Sequence, residues 1–137
     1  MAERAFVDTN VFVYASDEDA KRKRDRARRL VRELARADSL VISTQVLQEF
    51  FVVATRKLGL SADAARRRVV TMRKLDVVQV DPELILGAID LHRLHAISFW
   101  DALVVRAASV AGCACLLTED LAAGATIDGV RIENPFV

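Results

Sequence analysis

The segment RAFVDTN, residues 4–10, decides the expected fold because an apolar run in it ends abruptly at a carboxylate. Residues 4–7 predict a short buried strand, and the Thr9-Asn10 pair predicts its end. Asp8 is therefore expected at the C-terminal tip of a strand. A carboxylate buried there without neutralisation costs several kcal/mol, or its pKa shifts until it is neutral. The segment thus predicts a nearby cation or a set of hydrogen-bond donors.

The rest of the chain alternates short apolar runs with longer amphipathic ones. The short runs predict further strands at residues 40–43, 77–80, 113–117 and 130–133. The amphipathic runs predict helices at residues 20–37, 45–58, 62–74, 82–95 and 98–111, after a helical turn near residues 11–16. Strands separated by helices predict an α/β fold: a three-layer α/β/α sandwich whose central sheet is mostly parallel and has about five strands.

Length and composition predict one folded domain, residues 1–137. The chain has 20 Lys+Arg against 19 Asp+Glu and is 53% hydrophobic, which excludes a disordered chain. Two cysteines are too few for a secreted disulfide framework, and the first residues lack a signal-peptide pattern. No apolar run is long enough to span a membrane. We expect a cytoplasmic protein.

Positive charge is concentrated in the first half of the chain, where 17 of the 20 basic residues lie at or before Lys74. Nine of them fall between residues 21 and 36, on the polar face of a predicted helix. Such a face is either simply solvated or contacts a polyanion such as RNA or DNA phosphates, and both interpretations remain open.

Three further acidic positions interrupt or follow apolar segments: Glu49, Asp101 and the pair Glu119 and Asp120. In open α/β sheets the functional crevice lies beyond the carboxyl ends of the strands. The expected topology brings these acids and Asp8 to that edge, because they follow strands or lie early in helices. A cluster of carboxylates there predicts a metal site.

Each acid alone also has a structural explanation. The alternatives are an Asx turn at residues 8–10, a solvent-facing helix turn at residues 45–49, a capping box at residues 98–101 and a short helix starting at Leu121. Only the joint occurrence of the four acidic positions favours a functional site.

Other chemistries are disfavoured by what the chain lacks. His92 and His95 are its two histidines, too few for a zinc site or for histidine-assisted nucleophilic catalysis. Haloacid-dehalogenase-like phosphatases and phosphoacceptor receiver domains also place an Asp at a strand tip, but that resemblance requires a later Lys. No Lys follows Lys74. Phe99 and Trp100 are expected in the core or at its rim.

Five blocks in order resemble the PIN-domain family, in particular the VapC-type ribonuclease toxins of toxin-antitoxin pairs. They are FVDTNVFVYA (6–15), ISTQVLQEFFVV (42–53), SFWDALVVRAA (98–108), LLTEDL (116–121) and VRIENPF (130–136). The resemblance implies a PIN-like fold, RNA cleavage with Mg²⁺ or Mn²⁺, a small antitoxin partner and a homodimer.

The resemblance also implies which side chains hold the metal. The ligands are Asp8, Glu49, Asp101 and Asp120, with Glu119 as the alternative to Asp120. Asp120 is preferred because it fits the T-x-D pattern of the family. Thr9, Asn10 and Thr118 are expected to donate hydrogen bonds that orient these carboxylates.

Carboxylate oxygens without histidine or thiolate ligands suit Mg²⁺ or Mn²⁺, which supports hydrolysis of RNA phosphodiester bonds. A PIN-like RNA-processing nuclease without a toxin role, and a non-catalytic nucleic-acid-binding module, are the alternatives.

Overall fold

The computed structural model describes residues 3–137 and confirms the three-layer α/β/α sandwich. Met1 and Ala2, which the predicted domain 1–137 includes, lie outside the described residues. The strands are β1 (Ala5–Val7), β2 (Leu40–Ser43), β3 (Asp76–Val78), β4 (Cys115–Leu117), β5 (Thr126–Ile127) and β6 (Val130–Glu133). The helices are α1 (Thr9–Ala15), α2 (Lys21–Arg36), α3 (Thr44–Arg56), α4 (Ala62–Met72), α5 (Pro82–His95) and α6 (Phe99–Val110).

The central sheet has the order β3-β2-β1-β4-β6-β5, and every neighbouring pair is parallel except β5 with β6. After β1 the chain adds β2 and β3 on one side, and then β4 and β6 on the other. The direction of the connections therefore reverses between β1 and β4. At such a reversal the carboxyl ends of the two strands open a crevice, which is where open α/β sheets bind ligands.

The three central strands are buried along their whole length, as expected for parallel strands covered on both faces by helices. Phe6, Ile42 and Leu116 have no exposed surface. From the helical layers, Phe50 of α3 adds a large side chain that is almost fully buried. In these layers α5 packs against α6, and α1 packs against both α2 and α3.

Five helices, α2 to α6, begin within one residue of their predicted starts, and α1 begins at Thr9, two residues before the predicted turn near residues 11–16. The side chains of Ser43, Ser61, Asp81 and Ser98 each accept a hydrogen bond from the backbone N–H three residues later. Such caps typically stabilise a helix by about 1 kcal/mol. Ser43 is also the last residue of β2, so α3 begins without a loop. Within residues 3–137 no helix is long and apolar enough to cross a membrane.

The structure differs from the prediction at three strands, and in the fourth strand along the chain, β4, the difference is a start at Cys115 instead of residue 113. The third strand lies at Asp76–Val78 instead of residues 77–80, and β5 adds a sixth strand that was not predicted. β5 has only two residues, too few for a detectable apolar alternation. A tight turn at Asp128 and Gly129, with φ of 52° and 79°, closes the β5–β6 hairpin. No helix begins at Leu121.

Candidate active site

Asp8 lies at the crevice between β1 and β4, and its carboxylate is held from both sides. Its Oδ1 accepts a hydrogen bond of 2.8 Å from the backbone N–H of Thr9, as the N-cap of α1. Its Oδ2 accepts one of 2.7 Å from Thr118 Oγ1, directly after β4. The backbone N–H of Asp8 also donates to Leu117 O at 3.0 Å. Asp8 therefore caps α1 at the predicted functional position. Its side chain bonds the N–H of Thr9, one residue on, and not the N–H two residues on that defines the predicted Asx turn.

The Asp8 carboxyl is only 6% exposed and makes no ion pair with a basic side chain of residues 3–137. Burial is the main cause that raises its pKa from 3.8 to about 6. The hydrogen bonds from Thr118 and Thr9 oppose this rise, whereas the negative charges of Asp120 and Glu49 add to it. A cation at this place would remove the destabilisation of the ionised form.

Glu49 lies across the crevice from Asp8, and Thr9 contacts both acids. Thr9 Oγ1 donates a hydrogen bond of 2.9 Å to Glu49 Oε1, so Thr9 contacts one acid with its N–H and another with its hydroxyl. The alternative of a solvent-facing turn at residues 45–49 fails for Gln45, which is 6% exposed. Gln45 Nε2 instead donates to Trp100 O at 3.3 Å and links α3 to α6.

Asp101 lies in the first turn of α6. Ser98 Oγ accepts a hydrogen bond of 3.0 Å from the backbone N–H of Asp101, so one of the two bonds of the predicted capping box forms. Capping and a functional role are compatible, because the carboxylate also lines the cleft that contains Asp8. Burial raises the pKa of Asp101, the Ser98 hydroxyl opposes the rise, and the charge of Asp120 adds to it.

Glu119 and Asp120 are adjacent in sequence but have different partners. Asp120 lines the cleft, and its Oδ2 accepts a hydrogen bond of 3.1 Å from Asn10 Nδ2. Glu119 instead accepts hydrogen bonds of 2.7 Å from Tyr14 OH and of 2.7 Å from Lys23 Nζ. Partial burial raises the pKa of Glu119, but these two donors outweigh it and leave the pKa below its usual value.

A small cluster of side chains surrounds the Glu119 ion pair. Lys23 Nζ lies 4.6 Å from the centroid of the Tyr14 ring and 5.6 Å from that of Phe136. The two rings meet edge to face with centroids 4.9 Å apart. We call Tyr14, Lys23, Glu119 and Phe136 the Lys23 cluster. No local pattern predicts this cluster, because nothing local relates residue 23 to residues 119 and 136.

The four acids line a single cleft of about 980 Å³. Of the described residues, Lys57 near the end of α3 is the one basic side chain in its lining. The acidic residues in the lining number seven: Asp8, Asp17, Glu18, Asp19, Glu49, Asp101 and Asp120. The cleft therefore attracts cations more strongly than anions, and a cation bound in it would offset the charge of an entering phosphate group.

The donor chemistry of the cleft fits a hard divalent cation. Its acidic groups supply carboxylate oxygens, and two buried amide oxygens, Asn10 Oδ1 and Gln45 Oε1, lack any hydrogen-bond partner in the structure. Among residues 3–137, however, no three His, Cys, Asp or Glu groups stand close enough to bind one ion as they are. A small ion such as Mg²⁺ is commonly bound by one or two carboxylates and several waters, which this arrangement can accommodate.

The basic face of α2 is partly structural. Lys23 pairs with Glu119, while Arg24 and Arg28 both bind Glu18 at the cleft margin. The other exposed basic residues of this helix make no ion pair within the described chain: Lys21, Arg22, Arg26, Arg29, Arg32 and Arg36. Contact of this face with a polyanion stays a prediction.

A family model described as the PIN domain matches residues 5–124. The chain belongs to the PIN-domain family. The match confirms the resemblance drawn from the five sequence blocks, and it includes all four acidic positions of this PIN domain. No curated protein sequence matches the chain.

Solved structures of similar fold are VapC toxins and their complexes. A DNA-bound VapBC complex from Salmonella typhimurium has a TM-score of 0.71 at 19% identity, covering 98% of this PIN domain and 99% of that chain. A toxin-antitoxin complex from Klebsiella pneumoniae has a TM-score of 0.70 at 19% identity, covering 96% and 97%. Mycobacterium tuberculosis VapC20, a toxin that cleaves the sarcin-ricin loop, has a TM-score of 0.67 at 21% identity, covering 85% and 91%.

Proposed function

We propose that this PIN domain is a ribonuclease that hydrolyses RNA phosphodiester bonds with Mg²⁺ or Mn²⁺. The observation that carries the proposal is the buried Asp8 carboxylate at the crevice of a PIN fold, which has no basic partner among residues 3–137. It shares one cleft with Glu49, Asp101 and Asp120. A bound cation would offset the negative charge of this cleft. The PIN-fold neighbour VapC20 cleaves the sarcin-ricin loop.

Each acid has a proposed role. Asp8 and Asp101 are the principal metal ligands, Glu49 is a further ligand or positions a water, and Asp120 is the ligand of a second metal position. When bound, the metal lowers the pKa of a water and offsets the charge of the phosphate. Asp120 is preferred over Glu119, because Glu119 is neutralised by Lys23 and lies outside the cleft lining of the described chain.

Neutral side chains orient these acids. The hydroxyls of Thr9 and Thr118 donate to Glu49 and Asp8, and the Asn10 amide donates to Asp120. A carboxylate that is fixed by such donors presents its remaining lone pairs in one direction, which favours ion binding. Lys57 provides a positive charge for an RNA phosphate at the margin of the cleft.

We further propose that the protein is the toxin of a toxin-antitoxin pair, bound by a small antitoxin, dimeric and located in the cytoplasm with its RNA substrate. Support comes from the similar folds of the VapBC complex of Salmonella typhimurium and the toxin-antitoxin complex of Klebsiella pneumoniae. Expression alone should arrest growth, and co-expression of a small protein encoded beside it should relieve the arrest. Harmless overexpression in several hosts would favour an RNA-processing role.

The decisive experiment compares the wild type with Asp8→Asn. RNA cleavage is followed while Mg²⁺ or Mn²⁺ is titrated, with an EDTA sample beside it. The wild type should cleave only with metal, and the variant should keep its fold by circular dichroism but lose cleavage. RNA binding without cleavage in metal and in EDTA alike would instead indicate the non-catalytic binding module.

A further inference from the structure

Trp100, the only tryptophan of the chain, lines the cleft and is 62% exposed. It directly precedes Asp101 in the first turn of α6. A large aromatic ring exposed beside carboxylates contributes little to the core, and exposed aromatic surface commonly marks a binding site. Trp100 therefore lies at the rim of the core, as expected, and also beside the proposed catalytic centre.

Two contacts hold Trp100 in place, one through its ring and one through its backbone. The Trp100 ring meets Phe99 edge to face, with centroids 5.3 Å apart and planes at 69°. The carbonyl of Trp100 accepts a hydrogen bond from the buried side chain of Gln45, one helical turn before Glu49 on α3. The residue is thus positioned relative to acids on both helices, and its exposed ring needs little reorganisation to receive a ligand.

The chemistry of the cleft selects the ligand that this ring would take. Small cations and water satisfy the carboxylates but not an indole face. An unpaired nucleobase offers a flat π surface and is covalently attached to the phosphate that a metal at Asp101 would hold. Trp100 and Asp101 line the same cleft, so the base next to a phosphate held at Asp101 can lie in the space that the Trp100 ring borders.

We infer that Trp100 stacks on an unpaired base next to the scissile phosphate and thereby selects single-stranded segments of RNA. The inference rests on the ribonuclease function proposed above. Stacking of bases on aromatic side chains tolerates different base identities, because every base has a π face. A base paired within a duplex has its faces covered by its neighbours and is excluded from this contact.

The test measures kcat and KM for a short single-stranded RNA in Mg²⁺ with wild type, Trp100→Ala and Trp100→Phe. Loss of the ring should raise KM about tenfold, and phenylalanine should restore most of the loss. Leu94→Ala is the matched control, because Leu94 is a 77% exposed apolar side chain on α5 outside the cleft lining of the described residues. It should leave KM unchanged.

A scan with single abasic nucleotides separates stacking from a structural effect. At one position, removing the base should raise the wild-type KM as much as Trp100→Ala does, and the two changes together should add no further loss. A merely structural role would give equal penalties at every position. Selectively excited tryptophan fluorescence of Asp8→Asn, which reports Trp100 alone because the chain has one tryptophan, should be quenched by the intact RNA more than by the abasic strand.

Three results would overturn the inference. An unchanged KM for Trp100→Ala on a wild type that cleaves RNA rejects base stacking but leaves the nuclease function intact. If each abasic position raises KM by the same factor in Trp100→Ala as in the wild type, base stacking is likewise rejected and the nuclease function is left intact. If Trp100→Ala changes the mass of the proposed dimer in ultracentrifugation and leaves KM unchanged, the ring contacts a second copy of the chain instead of a base. A wild type without metal-dependent cleavage is a different result, because it rejects the proposed function itself.

Discussion

Thr118 Oγ1 donates a hydrogen bond of 2.7 Å to Asp8 Oδ2, and this bond joins the ends of the two central strands, β4 and β1. Thr118 is fully buried, and its Oγ1 also accepts a hydrogen bond of 3.1 Å from the backbone N–H of Asp120. One hydroxyl therefore connects two of the proposed metal ligands.

Thr118→Val tests this connection. The substitution keeps the shape of the side chain but removes a donor to a buried carboxylate, so the free energy of unfolding should fall by about 1–3 kcal/mol. Urea denaturation at neutral pH in EDTA measures it. Thr126→Val on the exposed edge of β5 is the control and should change stability little. Equal effects of the two substitutions would contradict a special role for Thr118.

Asp8 should make the metal-free protein less stable as the pH rises. Its folded pKa of about 6 lies above the ordinary 3.8, so the folded state binds the proton more tightly than the unfolded state. Stability is therefore lost between about pH 4 and about pH 6, by up to about 3 kcal/mol for this group. Denaturant unfolding of wild type and Asp8→Asn across this range in EDTA measures the difference.

Above this range, metal-free Asp8→Asn should be more stable than the wild type, because an amide carries no buried charge. Addition of Mn²⁺ should raise the melting temperature of the wild type and leave that of the variant unchanged. A stability difference between the two proteins that is independent of pH would show that ionisation of Asp8 is not its source.

Glu119→Gln and Asp120→Asn should differ in which property they change, metal affinity or stability. Asp120→Asn should weaken Mn²⁺ binding at least roughly tenfold in calorimetry. Glu119→Gln removes the charge that pairs with the partly exposed Lys23, so it should lower stability by less than about 1 kcal/mol and keep the Mn²⁺ affinity. The reverse pattern would make Glu119 the ligand.

Cys113 and Cys115 should resist alkylation in the folded protein. Burial raises the pKa of Cys113 to about 11, and burial with a hydrogen bond to Glu133 raises that of Cys115 to about 12. Because the thiolate is the reactive form, iodoacetamide should label both residues slowly at neutral pH and rapidly in guanidinium. Mass spectrometry of the two samples measures this, and rapid labelling of the native protein would contradict it.

The order of the fold could be predicted from local patterns in the sequence. The apolar runs of β1, β2 and β4 and the caps at Ser61 and Asp81 each depend on neighbouring residues, so the pattern contains the required information. The two-residue strand β5 depends on pairing with β6 after a tight turn, and no local pattern predicts it.

The candidate site shows the same limit. The strand-tip position of Asp8 follows from RAFVDTN alone, but the different partners of Glu119 and Asp120 do not. They depend on Lys23 and Asn10, which are about a hundred residues away in sequence. The position of Gln45 at the site could have been predicted from the sequence, since Gln45 lies one turn before Glu49 on the same helical face. Its contact with Trp100 required the tertiary structure.

The Lys23 cluster has a practical consequence for work with this protein. Phe136, one residue from the exposed Val137, packs against the two side chains that bind Glu119, beside Asp120. A purification tag fused after Val137, or a truncation before Phe136, would disturb the packing of the Lys23 cluster. That packing supports the loop with Asp120, a proposed metal ligand. Activities measured on differently tagged preparations are therefore comparable only when residue 136 is left in its native packing.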